Sequence, residues 1–335
     1  MKRILTLLFA AFTATTIMAQ MHGPMKFVGA SNMTVSTMSN DNPSDTILFA
    51  MNGMESGNIT LPAMKGMQTI PSFTISGATF TLGENHVVTF ADQTFSAKVT
   101  VDGAEKNITG KSLSGTYNMA DNSLSLTVVF QYGKMPFPMT YTVKGYYVKA
   151  VSNPITVTVG GQFTYNNDNV TYELRRYKDG GTDKLDVTVP SYSLTNTVMG
   201  DLTLGTYTVK GLVYDEAQGG YYRDYKNDGL KFHFTAVKGG VTTMDKDYEF
   251  AAGKANNILV KYEGSNVSSI VNTFQMGAMP FGIVSVFSAP ATSIEGVNAN
   301  ATAPADGRTY NLAGQRVDNN YKGIVIVNGK KYLRK

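Results

Sequence analysis

Cysteine and tryptophan are both absent from the 335 residues. No disulfide scaffold, cysteine-ligated zinc or iron–sulfur site, or thiol nucleophile can be built from such a chain. Charge is scarce too, at 16% of residues, where about 25% is usual. Histidine occurs three times. The net charge of +4 belongs to the ends: with the first 19 and last 28 residues set aside, 20 bases face 24 acids. A scattered, mildly acidic surface offers phosphates no basic face, which excludes nucleic acid as a partner. No apolar run reaches the roughly 20 residues of a membrane-spanning helix, so no transmembrane segment is expected. What is plentiful is Gly (33), Tyr (19), Phe (17) and Met (17), with 42% hydrophobic residues overall. That is enough to build cores, and the length allows two ordinary domains.

The N-terminus reads as a secretory signal over residues 1–19. Lys2 and Arg3 precede an apolar run from Ile4 to Ala14, and Met18-Ala19 supplies a small-residue cleavage site. Cleavage there leaves Gln20-Met21-His22 first. A free amine, two amides and a third-position imidazole form a nitrogen set that suits Cu(II). N-terminal Gln cyclises readily, however, and no other histidine lies nearby, so this stays a motif-level candidate; no cofactor is expected. The methionines are crowded, with Met21, Met25, Met33, Met38, Met51, Met54, Met64 and Met67 all near the start. Thioethers could line a pliable pocket.

Residues 290–307, rich in Ala, Asn, Thr, Gly and Pro, read as a linker. Beyond it, 308–335 predicts three short strands, with Asn328-Gly329 as a tight hairpin turn. Tyr310, Gly314, Gly323, Gly329 and Lys330 punctuate this tail. The pattern resembles the C-terminal sorting signal of cargo of the Por-type (type IX) secretion system. The resemblance implies passage across an outer membrane and secretion machinery as a partner. The bland reading is an ordinary terminal hairpin.

Between the ends, one motif occurs twice. Phe130-Gln131-Tyr132-Gly133-Lys134-Met135-Pro136-Phe137 returns 144 residues later as Phe274-Gln275-Met276-Gly277-Ala278-Met279-Pro280-Phe281. Ile59–Pro62 corresponds to Val187–Pro190, and Phe73–Gly77 to Tyr207–Gly211, with offsets of 128 and 134. The growing offset predicts loop insertions in a second copy, with Asp215–Asp228 as the candidate site. The copies are expected at 20–150 and 151–289. Each holds short alternating runs rich in Thr, Val, Tyr and Phe, broken by turn signals such as Asp102-Gly103. Such runs fit an all-β fold with minimal helix, either a closed antiparallel barrel of about eight strands or a two-sheet sandwich.

The strand from Leu124 through Phe130-Gln131 to Met135-Pro136-Phe137, with the Asp-Gly and Asn-rich hairpins and the tail, resembles calycin-like (lipocalin-like) domains of secreted bacterial proteins. That resemblance covers Phe27–Lys149 well and Pro154–Ser288 less well. It implies a small β-barrel. The Gly-x-Trp signature of true lipocalins is missing, so fatty-acid or retinoid carriage does not transfer.

In the repeated motif, Gly133 and Gly277 would allow a bend, while Pro136 and Pro280 belong at a strand end. Phe137 and Phe281 would then plug the barrel ends, with gating of a ligand as the sharper reading. Asp245, Asp247 and Glu249 share one strand face, but the spacing of a calcium loop is absent. His22, His86 and His233 sit in no catalytic motif, so an enzyme is not expected; a hydrolase would need carboxylates or a histidine converging in a cleft. The leading expectation is a secreted or cell-surface, non-catalytic protein that binds a small apolar or aromatic ligand in a barrel, or a surface glycan or protein. The competing expectation is a structural or adhesive component with filled barrels. Interior volume discriminates: below about 300 Å³ in both copies favours the structural reading.

Overall fold

The computed structural model describes residues 23–65, 69–83, 86–277, 279–288, 309–311, 316–318, 321–327 and 330–334. No helix occurs among them. The expected signal at 1–19, the copper candidate Gln20-Met21-His22 and the linker 290–307 lie outside the described residues.

The first half contains β1 (Met25–Val35), β2 (Met38–Met51), β3 (Ser56–Leu61), β4 (Met64–Lys65), β5 (Thr69–Ile70), β6 (Phe73–Thr79), β7 (Thr81–Leu82), β8 (Val87–Val101), β9 (Ala104–Asn118), β10 (Ser123–Tyr132) and β11 (Met139–Val159). Antiparallel pairing runs β1–β2–β3–β6, then β7–β8–β9–β10–β11, and β11 returns to β1. Only Phe80 separates β6 from β7, so the two act as one bent strand. The circuit is therefore an eight-stranded closed barrel, which removes exposed edges; the sandwich alternative falls away. Alternation is strict where expected: every second residue of β10 is buried, from Leu124 to Tyr132. Phe27, Phe49, Phe73, Phe80, Phe90 and Phe130 fill the centre. Each such ring stabilises the fold by about 1.5–3 kcal/mol before opposing entropy. At the tip of the β8–β9 hairpin, Asp102 and Gly103 have φ of 51° and 76°, the two positive values that a type I′ turn needs.

The second half adds β12 (Phe163–Asp179), β13 (Thr182–Val189), β14 (Tyr192–Thr197), β15 (Gly200–Leu204), β16 (Tyr207–Asp215), β17 (Gly220–Asp224), β18 (Lys231–Lys238), β19 (Val241–Glu249), β20 (Asn257–Glu263), β21 (Asn266–Gln275) and β22 (Gly282–Ser288). Here the pairing runs β11–β12–β13–β16–β17–β20–β21–β22 and back to β11, a second closed circuit. Strands β14, β15, β18 and β19 leave the ring and form their own four-stranded sheet. The extra length thus goes into that sheet as well as into the 215–228 segment, which holds a turn and β17.

Strand β11 belongs to both rings. Val35–Lys26 of β1 pairs with Met139–Val148, while β12 pairs with Val148–Val159 and β22 with Ile155–Val159. The division expected at 150/151 falls inside this strand, and the chain through Ser288 is one compact unit.

The repeated motif folds alike in both halves. Phe130 and Phe274 are buried. Gln131 Nε2 donates to Met135 O at 2.5 Å, as Gln275 Nε2 does to Met279 O at 2.5 Å. Gly133 N donates to Asn107 O at 2.8 Å and Gly277 N to Glu249 O at 2.9 Å. Both glycines have positive φ, 57° and 34°, a conformation that a Cβ disfavours. Pro136 and Pro280 lie between strands. Phe137 and Phe281 do not plug the barrels: they are 55% and 50% exposed. The tight turn swings the chain outward, and Met135 and Met279 pack against the two cores instead.

Residues 289–335 form a separate compact unit. Its described part is an antiparallel sheet of β23 (Thr309–Asn311), β24 (Gly323–Val327) and β25 (Lys330–Arg334). Tyr310 lies in β23, Gly323 opens β24 and Lys330 opens β25; Gly314 and Gly329 fall outside the described residues.

Candidate functional site

Because β11 is shared, the two rings meet at one end of each. Lys26 of the first ring pairs with Glu173 of the second at 2.8 Å. Arg175 reaches Val28 O at 3.1 Å with one guanidinium nitrogen and Asp186 Oδ2 at 2.5 Å with another. Asp186 also accepts from Tyr177 OH at 3.1 Å and Gly211 N at 2.8 Å, so the buried carboxylate is fully engaged. Burial, reinforced by Asp186, pushes the Tyr177 phenol up to about 12.

Beside this clamp opens a cleft of about 670 Å³. Asn122, Tyr147 and Lys149 come from the first half and from β11; Leu174, Arg176, Asp183 and Leu185 come from the β12–β13 hairpin. The β16–β17 and β20–β21 turns bring Tyr214, Tyr221 and Tyr262. Leu174 and Leu185 are buried and seal the floor. The rings stand edge to face: Tyr214–Tyr221 centroids are 5.7 Å apart at 84°, and Tyr221–Tyr262 are 5.9 Å apart at 73°. Arg176 lies 5.5 Å over the Tyr221 ring and donates to Asp183 Oδ2 at 2.9 Å. Burial alone would lower the Arg176 pKa, but Asp183 and the tyrosines raise it on balance. Burial pushes Tyr262 up to about 12 and also raises Tyr221, with Arg176 opposing in both cases. The cleft is an aromatic surface carrying the Arg176–Asp183 ion pair.

A smaller cavity of about 300 Å³ lies in the first half, lined by Ser31, Met33, Asp45, Met64 and Tyr141 among others. Ser31 Oγ and Tyr141 OH both donate to Asp45 Oδ2, at 2.5 and 2.9 Å, and Asn42 Nδ2 donates to Oδ1 at 2.6 Å. Of the crowded methionines, Met33 and Met64 line this cavity, while Met38 and Met54 are 46% and 57% exposed.

The structure disperses the other sequence candidates. Asp245, Asp247 and Glu249 all lie exposed on β19. Two of them hold His233, through Asp245 at 3.0 Å and Asp247 at 2.9 Å, and Glu249 pairs with Lys231 at 3.0 Å. Among the described residues, no three His, Asp or Glu side chains gather closely enough to hold a metal ion. No described helix is long and apolar enough to cross a membrane, which says nothing about strands. The sequence carries no local signal for the tyrosine cleft; the Tyr- and Gly-rich stretch 215–228, expected as a loop insertion, supplies part of its rim.

No curated protein matches the chain. A solved structure described as a "putative outer membrane protein" of Bacteroides fragilis NCTC 9343 aligns over 80% of this chain and 96% of that one, at 15% identity and a TM-score of 0.25. Residues 25–146, the first closed circuit of strands, match the family model of the calycin-like β-barrel domain.

Proposed function

We propose that the protein is a non-catalytic binder of a small ligand outside the cell, and that the tyrosine-lined cleft is its binding site. The observation that carries this reading is the cleft itself. Its volume of about 670 Å³ lies within the roughly 300–1,000 Å³ of small-molecule sites, and it combines aromatic walls with a few polar groups. The axis of each ring is occupied by the protein's own side chains, which moves the expected site from a barrel interior to the junction. We read 151–289 as a second calycin-like copy; its closed circuit and the shared motif geometry support this. Export through the N-terminal segment and the C-terminal tail completes the reading.

Mass spectrometry of small molecules extracted from natively exported protein tests it. A species that accompanies the wild type and is missing from Tyr221→Ala supports the reading. Loss of nothing on that substitution, with no species bound, defeats it.

Two observations favour a structural or adhesive role instead: the filled ring interiors, by the volume criterion above, and a set of exposed apolar side chains. Phe137 and Met38 are exposed at one end of the first ring, and Phe281 and Phe163 at the corresponding end of the second. Exposed apolar groups repeated in this way suit contact with another surface.

A further inference from the structure

We propose that the ligand of the junction cleft is a saccharide, bound by stacking on Tyr214 and by hydroxyl hydrogen bonds to the Arg176–Asp183 pair. This rests on the assignment of the cleft as the binding site. An apolar chain finds little to cover, because the aliphatic floor of Leu174 and Leu185 is already 2% and 0% exposed. The reachable lining is tyrosine, charged groups, Asn122, Ser265 and turn glycines.

Tyr214 is 58% exposed at the rim and stands edge to face on Tyr221 at 5.7 Å, which leaves one ring face open. Sugars present flat faces of C–H groups to such rings. Arg176 and Asp183 are 52% and 42% exposed in their side chains. Only Nη2 and Oδ2 are spent on their mutual bond. The remaining guanidinium N–H groups and Oδ1 match vicinal hydroxyls, which both donate and accept. A purely aromatic molecule would stack equally well, but it would strip water from the ion pair without replacing it, a costly desolvation. A polyanion meets only one uncompensated charge in the lining, Lys149, because Asp183 already neutralises Arg176.

Saturation-transfer difference NMR on the full exported chain tests the proposal. The probes are maltotriose, cellotriose, xylotriose and mannotriose, with naphthol and decanoate as non-sugar controls. At least one trisaccharide should receive saturation on its ring C–H protons. Tyr214→Phe should keep that binding, whereas Tyr214→Ala and Asp183→Asn should each weaken it by about tenfold or more, the scale of one lost contact. Circular dichroism checks that the variants fold. If no trisaccharide binds while naphthol or decanoate does, in a manner lost in Tyr221→Ala, the saccharide assignment fails and the cleft stands. If nothing binds, both fail.

Discussion

The two rings share a topology but not an interior. The first is packed with phenylalanine: Phe49 meets Phe80 and Phe90 at 5.8 and 5.3 Å, and Phe73 meets Phe130 at 5.3 Å. In the second, five buried tyrosines join five phenylalanines. Tyr207 stands where Phe73 does in the repeat, and it contacts Tyr225, Phe232, Phe250 and Phe274. Its hydroxyl accepts from Asn272 Nδ2 at 2.5 Å, and Tyr225 OH donates to Asn272 Oδ1 at 2.8 Å. Nearby, Tyr172 OH, Tyr192 OH and Ser285 Oγ are buried without a hydrogen bond of normal geometry. Burial raises both phenols, and Ser285 lies near enough to moderate the rise. A closed ring tolerates buried hydroxyls when a network satisfies them, and it carries a few that are not satisfied.

That contrast can be broken most sharply at the repeated motif. Phe130→Ala and Phe274→Ala should each cost about 3–5 kcal/mol in urea unfolding. A cost below about 1 kcal/mol in one ring alone would show that the two motifs are not energetic equivalents. Asp186→Ala should cost a similar 3–5 kcal/mol by leaving Arg175 half-buried without its partner; a shift no larger than that of an exposed ion-pair variant would show that the clamp is idle.

The hydroxyls separate the rings next. Tyr141→Phe removes a bond to the buried Asp45 carboxylate and should cost about 1.5–3 kcal/mol. Tyr192→Phe removes a hydroxyl with no hydrogen bond of normal geometry and should leave thermal stability unchanged or raised. Equal losses would mean that Tyr192 is satisfied in solution. The exposed Phe137→Ala and Phe281→Ala should stay within about 0.5 kcal/mol, in contrast to their buried neighbours seven residues earlier.

The smallest effect belongs to the four-stranded sheet, which only the second half has. The hydrogen bond that Asp247 accepts from the ring, with Asp245 adding, raises the His233 pKa. NMR titration should give a midpoint above the ordinary value of about 6.5. Since the folded pKa is the higher one, the stabilising contribution is complete below about pH 6.5 and fades as pH rises through the raised midpoint. Asp247→Asn should lower the midpoint; an unchanged curve would rule out that contact in solution.

Much of this fold could be read from residue order. Alternation in Leu124–Phe130, the Asp102-Gly103 turn and the doubled Gly-x-Met-Pro-Phe segment each have a local physical signature, and local signatures survive into the structure. Three features do not have one. Nothing local distinguishes β18 and β19, which leave the ring, from strands that stay, because Phe232, Phe234 and Ala236 are buried on a separate sheet as they would be in a ring. The outward turn of Phe137 depends on a glycine torsion and a glutamine clamp. The cleft gathers residues from Asn122 to Ser265, and only ring closure brings them together.

Strand β11 has a thermodynamic consequence. There is no hinge between the halves, because one run of backbone is a stave in both casks. Each uses its own length of that backbone, 139–148 in the first and 148–159 in the second, so opening one leaves its neighbour's wall in place and loses only the contacts at the junction. A gene cut between residues 150 and 151 should therefore yield two fragments that each keep a circuit of strands, and calorimetry of the fragments against the whole chain should measure what the junction adds.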